Sequence, residues 1–198
     1  MTVKTNGYSA ATPTRYLIDA GAIYTNLTFD EETGVADGEL MGATSGGNEF
    51  TVVQETRDAE VDGVKGRTKG GTLITSENAE LLVNLKELTA QNIQRAIAGG
   101  TMDSNSAEGY DIISSKGRID LDDYIDNVAF VGRLTGSQKP VIIVLDNAIS
   151  LEGLKITTAD EAEAVVPIRF GAHYDADNTD LGSAPYRIYW PKETGGSN

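Results

Sequence analysis

Residues 72–100 read TLITSENAELLVNLKELTAQNIQRAIAGG, and two different hydrophobic periods meet within them. Between residues 78 and 86, apolar side chains occupy every second position: Ala79, Leu81, Val83 and Leu85. A period of two is typical of a β-strand that has one face in the core. Leu82 lies on the opposite face, which predicts that this second face is partly covered as well. The segment therefore predicts a long, half-buried strand.

The period changes to that of a helix at Thr89. Its side chain can accept a hydrogen bond from the free N–H groups of a first helical turn, so Thr89 is the predicted N-cap. Leu88 before the cap and Ile93 four positions after it match a hydrophobic staple. Gly99 can adopt the positive φ that ends a helix. We therefore predict a helix over about residues 89–98, directly after the strand.

The bulk composition indicates one domain without disulfides. A length of 198 residues is sufficient to bury a core without metals or cross-links. There is no cysteine, which excludes disulfides, thiolate catalysis and cysteine metal sites. No run approaches the roughly 20 apolar residues that cross a bilayer, and the N-terminus lacks the apolar centre of a signal peptide. We expect a soluble protein made in a cytoplasm, with no membrane partner and no cofactor.

The charge is strongly and unevenly acidic. The formal net charge is −14, which argues against a protein that grips nucleic acid, because that task needs Lys and Arg at phosphates. Residues 57–69 carry four bases and three acids and are the most cationic stretch outside the predicted elements. Opposite charges on different parts of one small chain suit self-association, whereas dispersed, solvated charge is the simpler interpretation of any single cluster.

The remaining hydrophobic patterns predict a mainly β protein. Residues 29–48 and 101–107 are predicted loops, residues 110–114 and 118–121 weak strands or turns, and residues 1–14 and 191–198 a flexible arm and a polar tail. Residues 139–146, KPVIIVLD, predict a strand covered on both faces. Pro167 lacks an N–H and belongs at an edge or where no partner strand needs that N–H. Further strands are predicted at residues 15–28, 49–55, 127–134, 149–157, 162–170 and 184–190.

Residues 56–71, TRDAEVDGVKGRTKGG, form a polar segment between two strands that we expect to pair. The segment contains four glycines and alternating charge. Loops of this length are uncommon in compact domains and are usually functional or disordered. Val61 and Val64 give the segment apolar side chains to bury, so a contact arm is favoured over disorder.

Sites of catalysis or metal binding are weakly indicated. His173 is the single histidine and cannot by itself supply an ordinary zinc or iron ligand set. Asp175, Asp177 and Asp180 resemble a calcium loop, but the spacing lacks the required glycine and the closing glutamate, so a solvated turn is the better interpretation.

Two other polar stretches have equally simple explanations. Asp120, Asp122, Asp123 and Asp126 place carboxylates near one another in the sequence, but glycosidase-type acid–base catalysis needs an opposed geometry that proximity does not give. The loop at residues 42–48, GATSGGN, lacks the lysine of a phosphate-binding loop and no helix follows it, so a turn that feeds the next strand is favoured. We expect no enzymatic activity.

Several stretches together resemble the major tail, or tail tube, proteins of tailed bacteriophages. The similarity covers most of the chain and is carried by patterns rather than by a sharp signature. It lies in LIDAGAIY (17–24), LMGATSGGNEF (40–50), the polar segment 56–71, NAELLVNLKELTAQNIQRAI (78–97) and ADEAEAVVPIRFGAHYD (159–175), which a proline and an aromatic strand follow.

The resemblance implies one domain over residues 15–190, with two packed, roughly orthogonal antiparallel sheets in a sandwich or barrel and one flanking α-helix. It also implies hexameric rings that stack into a tail tube, a negatively charged channel for the genome. The partners would be other copies of the chain and the tape measure, terminator and distal tail proteins, and DNA would pass without specific binding. The location would be the virion tail, assembled in the host bacterial cytoplasm.

By the same resemblance, residues 56–71 would be an arm that contacts the next ring. The residues expected to make that contact are Arg57, Asp58, Glu60, Val61, Asp62, Val64, Lys65, Arg67 and Lys69. The family supplies no catalytic residues.

Two alternatives to the tube remain open. One is a capsid decoration protein or adhesin-type β domain that binds a preformed surface as a monomer or trimer. The other is an acidic hydrolase that uses the carboxylates of residues 120–126 or 175–180.

Overall fold

The structure is a computed structural model that describes residues 5–30, 36–175 and 184–192. One α-helix, α1 (Ala90–Arg95), and two short 3₁₀ turns (Thr12–Arg15 and Leu121–Asp123) accompany the strands. The strands are β1 (Leu17–Phe29), β2 (Ala36–Leu40), β3 (Thr44–Asp58), β4 (Thr72–Leu85), β5 (Gly100–Asp103), β6 (Ile112–Ser115), β7 (Ile125–Leu134), β8 (Val141–Ser150), β9 (Thr157–Ala159), β10 (Ala162–Gly171) and β11 (Tyr186–Tyr189).

Nine strands form one antiparallel ladder that folds back on itself as two layers. The main order is β2-β1-β7-β8-β10-β4-β3, with β11 beside β8 and β9 beside β10. Strands β8 and β10 pair only at Phe170↔Ser150 and Gly171↔Ile149, so this narrow junction separates a layer of β2, β1, β7, β8 and β11 from a layer of β10, β4 and β3. Strands β5 and β6 form a separate two-stranded sheet. The predicted mainly β fold class is confirmed.

The main core lies between the two layers. Its buried side chains come from β1, β7 and β8 on one side and from β4 and β10 on the other: Ile23, Val128, Phe130, Val141, Ile143 and Leu145 face Leu81, Val83, Leu85, Val166, Ile168 and Phe170. The alternation predicted for β4 is confirmed, since Ala79, Leu81, Val83 and Leu85 are all buried. The apolar periodicity of the sequence thus correctly predicts which face of β4 is buried.

Strand β8 is covered on both faces, as predicted. Val141, Ile143 and Leu145 belong to the main core. Ile142 and Val144 belong to a second cluster on the outer face, together with Leu27 and Ala129, against which Tyr24, Phe29, Val131 and Tyr189 pack. The continuous β-branched run is therefore explained by burial on two sides.

The helix begins at the predicted cap. The Thr89 side chain accepts a hydrogen bond from the Asn92 N–H at 3.1 Å. The helix itself is shorter than the predicted 89–98, because its last helical residue is Arg95 and Ala96 is the C-cap. Gly99 has φ +68°, which confirms the predicted termination by a glycine with positive φ. The first turn of the helix is also positioned by a buried amide, since the Asn92 side chain donates to the Met41 carbonyl at 2.6 Å.

Three sequence-based assignments are wrong. Strand β2 lies in the predicted loop 29–48, and β5 begins the predicted loop 101–107. Both strands are short and largely exposed, so neither has the apolar alternation that identifies a strand. The predicted strand 149–157 does not exist, because β8 continues to Ser150 and β9 begins only at Thr157. The weak strand or turn predicted at 118–121 is a turn that leads into the 3₁₀ turn Leu121–Asp123.

Pro167 lies where the prediction required. It is paired with Asn84 of β4 on one side. On the other side of β10, β9 pairs around residues 162–165 and β8 only at residues 170–171. A residue without an N–H is therefore tolerated in the gap between these two partners.

The N-terminal segment contacts the body before β1 begins. The Thr135 hydroxyl donates to the Pro13 carbonyl at 2.6 Å, and the Gly136 N–H donates to the Thr14 carbonyl at 2.9 Å. Residues 1–4 of the predicted arm and 193–198 of the predicted tail lie outside the described residues. In the part of the chain that is described, no helix is long and apolar enough to span a bilayer.

Candidate assembly interface

Strands β3 and β4 extend beyond the core as a projecting hairpin, which we define as residues 53–75. The two strands pair from Thr44↔Leu85 to Asp58↔Thr72, so the predicted pairing on either side of the 56–71 arm is confirmed. Within the projecting hairpin every residue is exposed except Asp58 and Gly71. Exposed apolar side chains here include Val53 (49%), Leu73 (43%) and Ile74 (58%). The hairpin therefore has a paired backbone but almost no burial.

The loop of the arm is held by its own hydrogen bonds. The Ala59 N–H donates to the Gly71 carbonyl at 2.7 Å and continues the ladder past the ends of the strands. Asp58 accepts from the Thr72 hydroxyl at 2.7 Å and forms an ion pair with Arg67 at 2.9 Å. Val64 N–H donates to the Val61 carbonyl at 3.1 Å, which closes a tight turn.

The nine arm residues expected to make contacts lie on this loop and at the end of β3 that leads into it. Asp58 and Arg67 are paired with each other, whereas Arg57, Lys65 and Lys69 have no ion-pair partner among the described residues. Val61 and Val64 are 59% and 47% exposed. The arm thus presents unpaired cations and β-branched apolar side chains to solvent.

The base of the projecting hairpin is tied to the body by a hydrogen-bonded carboxylate. Glu77 accepts from the Gln54 amide at 2.5 Å and from the Tyr186 hydroxyl of β11 at 2.8 Å. These bonds, chiefly the one from Gln54, lower the pKa of Glu77. Burial, together with the adjacent carboxylate, raises the pKa of Tyr186. The hairpin is therefore anchored where it leaves the second layer.

The two terminal strands of the main sheet are β2 and β3. Within the described residues each pairs with a neighbour on one side only. Strand β3 is 15 residues long, and only its start is held against β1, where the Asn48 amide donates to the Ala20 carbonyl at 2.9 Å. Leu40 at the end of β2 is 56% exposed. Free edges of this kind offer unpaired N–H and C=O groups to another strand.

A polar cleft of about 310 Å³ lies between α1, the Leu121–Asp123 turn and the ends of β7 and β8. It is lined by the apolar side chains of Ile97, Ile125 and Ile149 and by the polar residues Gln91, Gln94, Asp122 and Asp126, of which Gln91 and the two acids are exposed. Arg95 also lines the cleft and is paired with Glu39 at 2.8 Å. That ion pair holds the pKa of Glu39 below its ordinary value.

The acids at residues 120–126 divide into two groups. The Lys116 ammonium contacts Asp120 at 2.7 Å and Asp123 at 2.8 Å. The Lys116 hydrogen bond lowers the pKa of Asp120, and the backbone N–H of Asp120, followed by Lys116, lowers the pKa of Asp123. Asp122 and Asp126 have no hydrogen-bond or ion-pair partner among the described residues.

These environments do not resemble a glycosidase pair, in which one carboxyl has a raised pKa and acts as the acid. Asp120 and Asp123 instead cap the 3₁₀ turn reciprocally. The expectation that the chain is not an enzyme stays a prediction.

The other polar residues singled out from the sequence have structural roles or lie outside the described chain. The His173 Nδ1 is 3.1 Å from the Gly171 carbonyl and 3.2 Å from that of Asn147, and the ring packs edge-on against Tyr124. Residues 176–183, which include Asp177 and Asp180, are not described. Within residues 5–30, 36–175 and 184–192, no group of three or more His, Asp or Glu could hold a metal ion.

The 42–48 loop feeds a strand, as predicted. Strand β3 begins at Thr44, and its register shifts between Thr44 and Asn48. Gly46 and Gly47 have positive φ and the loop is held to the body by the Ala43 N–H, which donates to Glu87 at 3.1 Å. The glycines serve an irregular strand start.

Comparison with models of protein families and with curated proteins finds no match for this chain. The candidate interface therefore rests on the geometry of the chain itself.

The sequence identified the arm but not the cleft or the free edge of β2. The cleft is formed by side chains from segments far apart in the chain, such as Asn26, Gln94 and Asp126, and no local pattern marks that meeting. In β2, Gly38 lies close to β1, because a Cβ at this position would be 3.0 Å from the Leu27 Cα. A glycine is therefore the only sequence feature that marks this close approach of two strands.

Proposed function

We propose that this chain is a structural protein that self-assembles into stacked rings and forms the tube of a bacteriophage tail. The observation that carries the proposal is the pair of free edges, β2 and β3, at opposite ends of one antiparallel sheet. Lateral pairing of such edges between copies satisfies their exposed backbone groups, and closing the copies into a ring leaves neither of these two edges free.

The projecting hairpin supports the same proposal. A two-stranded hairpin that buries almost nothing is marginal in water on its own account. Its apolar side chains Val53, Leu73 and Ile74 are exposed in the isolated chain, so contact with another subunit would bury them. The hairpin is therefore suited to join one ring to the next.

The charge suits a channel through which DNA passes. With a net charge of −14, an acidic wall repels phosphates and offers few sites at which DNA is retained. On this proposal the partners are other copies of the chain together with tape measure, terminator and distal tail proteins, and the protein is part of the virion. Six copies in each ring are the number that the family resemblance implies.

The experiment is sizing of the purified chain by light scattering over a range of concentrations, together with negative-stain imaging. Rings or tubes with a central channel are expected. A monomer or trimer that never forms rings would contradict the proposal and favour a capsid decoration or adhesin-type domain. Hydrolysis of a glycan that is lost when Asp120 or Asp122 is changed to Asn would favour the hydrolase.

The role of the arm is tested by removing its loop. Replacing residues 60–70 by a two-residue Asn-Gly turn should preserve the β3–β4 pairing, because such turns close hairpins. We expect rings without long tubes. Tubes of normal length would exclude the arm from contact between rings.

A further inference from the structure

The arm and the polar cleft lie at opposite ends of the same strand. The arm loop precedes Thr72, the first residue of β4, and α1, which lines the cleft, begins shortly after Leu85, the last. A strand of 14 residues spans about 45 Å. The arm loop of one chain therefore lies far from the cleft of the same chain, and any contact between the two joins different chains.

A contact of this kind is head-to-tail. Two different surfaces of one chain meet, rather than one surface meeting itself, so the contact repeats from copy to copy without closing into a dimer. Such a geometry is what the stacking of rings requires.

The cleft has a composition that suits the arm. At about 310 Å³ it lies at the lower end of the range of ligand pockets, roughly 300 Å³ upward, which is enough for one or two side chains. Ile97 and Ile125 contribute apolar surface to its lining, and Asp122 and Asp126 are exposed acids of the same lining. These two acids have no partner within the described residues, so their charges are available.

The arm supplies the matching groups. In a chain with 30 acids and 16 bases, Lys65 and Lys69 are two cations that lack an ion-pair partner in the described part of the chain. Val61 and Val64, at the turn of the same loop, are exposed. Val64, which precedes Lys65, therefore matches the apolar lining and the free carboxylates of the cleft, whereas Val61 lies between the acids Glu60 and Asp62.

We infer that the arm of one copy docks in the polar cleft of the next copy, with Val64 against Ile97 and Ile125 and with Lys65 and Lys69 beside Asp122 and Asp126. The inference rests on the proposed self-assembly and adds to it the receptor for the arm. Charge complementarity of this type fixes register and orientation between partners.

The first test reverses the charges on each side separately and then together. The variant K65E/K69E and the variant D122K/D126K should each raise the protein concentration needed for tube growth by at least about tenfold, since like charges then meet across the interface. Combining all four substitutions should restore growth. The matched control, E108K/D111K, changes two exposed acids outside the cleft and should grow tubes as the native chain does.

The second test uses the absence of cysteine in the native sequence. The single variants K65C and D122C, mixed and oxidised after assembly, should form a disulfide between one chain of each kind. The mixture of K65C with K139C is the control and should cross-link at least about tenfold less, because the docking brings residue 65 beside residue 122, whereas Lys139 lies outside both the arm and the cleft.

The outcomes separate the two levels of the proposal. Tubes that form normally but give no 65–122 disulfide above the control, and no rescue by the fourfold charge reversal, overturn the docking and leave the tube. A native chain that forms neither rings nor tubes overturns both.

Discussion

The two halves of β4 both pair with β3 but differ in the burial of their side chains. Residues 79–85 alternate between buried and half-buried side chains, with Ala79, Leu81, Val83 and Leu85 at 0–1% exposure. Residues 72–75 are exposed on both faces. Yet β3 pairs with both halves, interrupted near the base of the hairpin only by a register shift between Glu55 and Thr56.

The difference shows that hydrogen bonding and burial have separate roles in this sheet. A net backbone hydrogen bond contributes only about 0.5–1.5 kcal/mol, so the outer half of the strand has little to stabilise it beyond its ladder. The inner half adds the burial of large aliphatic side chains, at about 1.5–3 kcal/mol each. We therefore expect the inner half to determine the stability of the fold and the outer half to determine assembly.

The largest effect should come from the same substitution placed in each half. Leu81 is 1% exposed and Leu73 is 43% exposed. Leu81→Ala should lower the free energy of unfolding by about 2–5 kcal/mol, because it leaves a cavity in the core. Leu73→Ala should change it by no more than about 0.5 kcal/mol. Urea denaturation of the unassembled chain measures both.

An equal loss of unfolding free energy in Leu81→Ala and Leu73→Ala would contradict the expected difference between the two halves. In that case the outer half of β4 would be packed in the isolated chain as tightly as the inner half, and the proposed role in assembly would lose its basis.

A smaller difference is expected between two glycines with positive φ. Gly99 has φ +68° and Gly63 has φ +83°. A Cβ on Gly99 would overlap the carbonyl oxygen of Arg118, whereas nothing lies within 4 Å of one on Gly63. Gly99→Ala should therefore lower the free energy of unfolding by more than about 2 kcal/mol, and Gly63→Ala by about 1 kcal/mol or less. Thermal unfolding followed by circular dichroism compares them.

The cap at the inner end of β4 should contribute less again. Thr89→Ala removes the acceptor for the Asn92 N–H and should cost about 1 kcal/mol. Thr89→Ser keeps the hydroxyl and should recover most of that loss. If alanine and serine behave alike in urea denaturation, the side-chain cap does not stabilise α1.

The smallest effect concerns pH and involves Lys116, Asp120 and Asp123. The folded-state pKa of each acid lies below its ordinary value, near 3.9 in an unfolded chain. Their contribution is therefore fully present above about pH 4 and is lost as the pH falls through the folded-state values. Lys116 is exposed and the two acids are half-buried, so solvent reaches these ion pairs and added salt should weaken the effect.

Melting temperatures between pH 7 and pH 3 test this dependence. Lys116→Met should reduce the acid-induced fall, and the control Lys139→Met, which changes a lysine without an ion-pair partner in the described chain, should leave it unchanged. An identical pH profile for all three proteins would show that the cluster does not contribute.

The sequence predicts the inner half of β4 and its surroundings well because burial leaves a local pattern there. Alternating aliphatics identify β4, a continuous β-branched run identifies β8, and a hydroxyl before a helical period identifies the Thr89 cap. In each case the tertiary environment imposes a choice on consecutive residues, so the pattern can be found without the structure.

The remainder escapes prediction because it depends on partners distant in sequence. Strand β2 is defined by pairing with β1 and not by its own side chains, most of which are exposed. The cleft joins Asn26, Gln94 and Asp126 from three separate segments. The arm was located by composition alone, and its internal ion pair, Arg67 with Asp58, depends on a turn that composition does not specify.

The pairing of β1 with β7 also has a consequence for synthesis. Leu17 pairs with Leu134, more than one hundred positions later, whereas β3 and β4 are separated only by residues 59–71. The ribosome adds roughly 5–20 residues per second, so β7 is synthesised on the order of ten seconds after β1. During that interval β7 cannot cover Ile23 and Leu27 of β1. The nascent chain therefore exposes apolar side chains before the fold can form. A chaperone that binds exposed apolar segments would act during that interval.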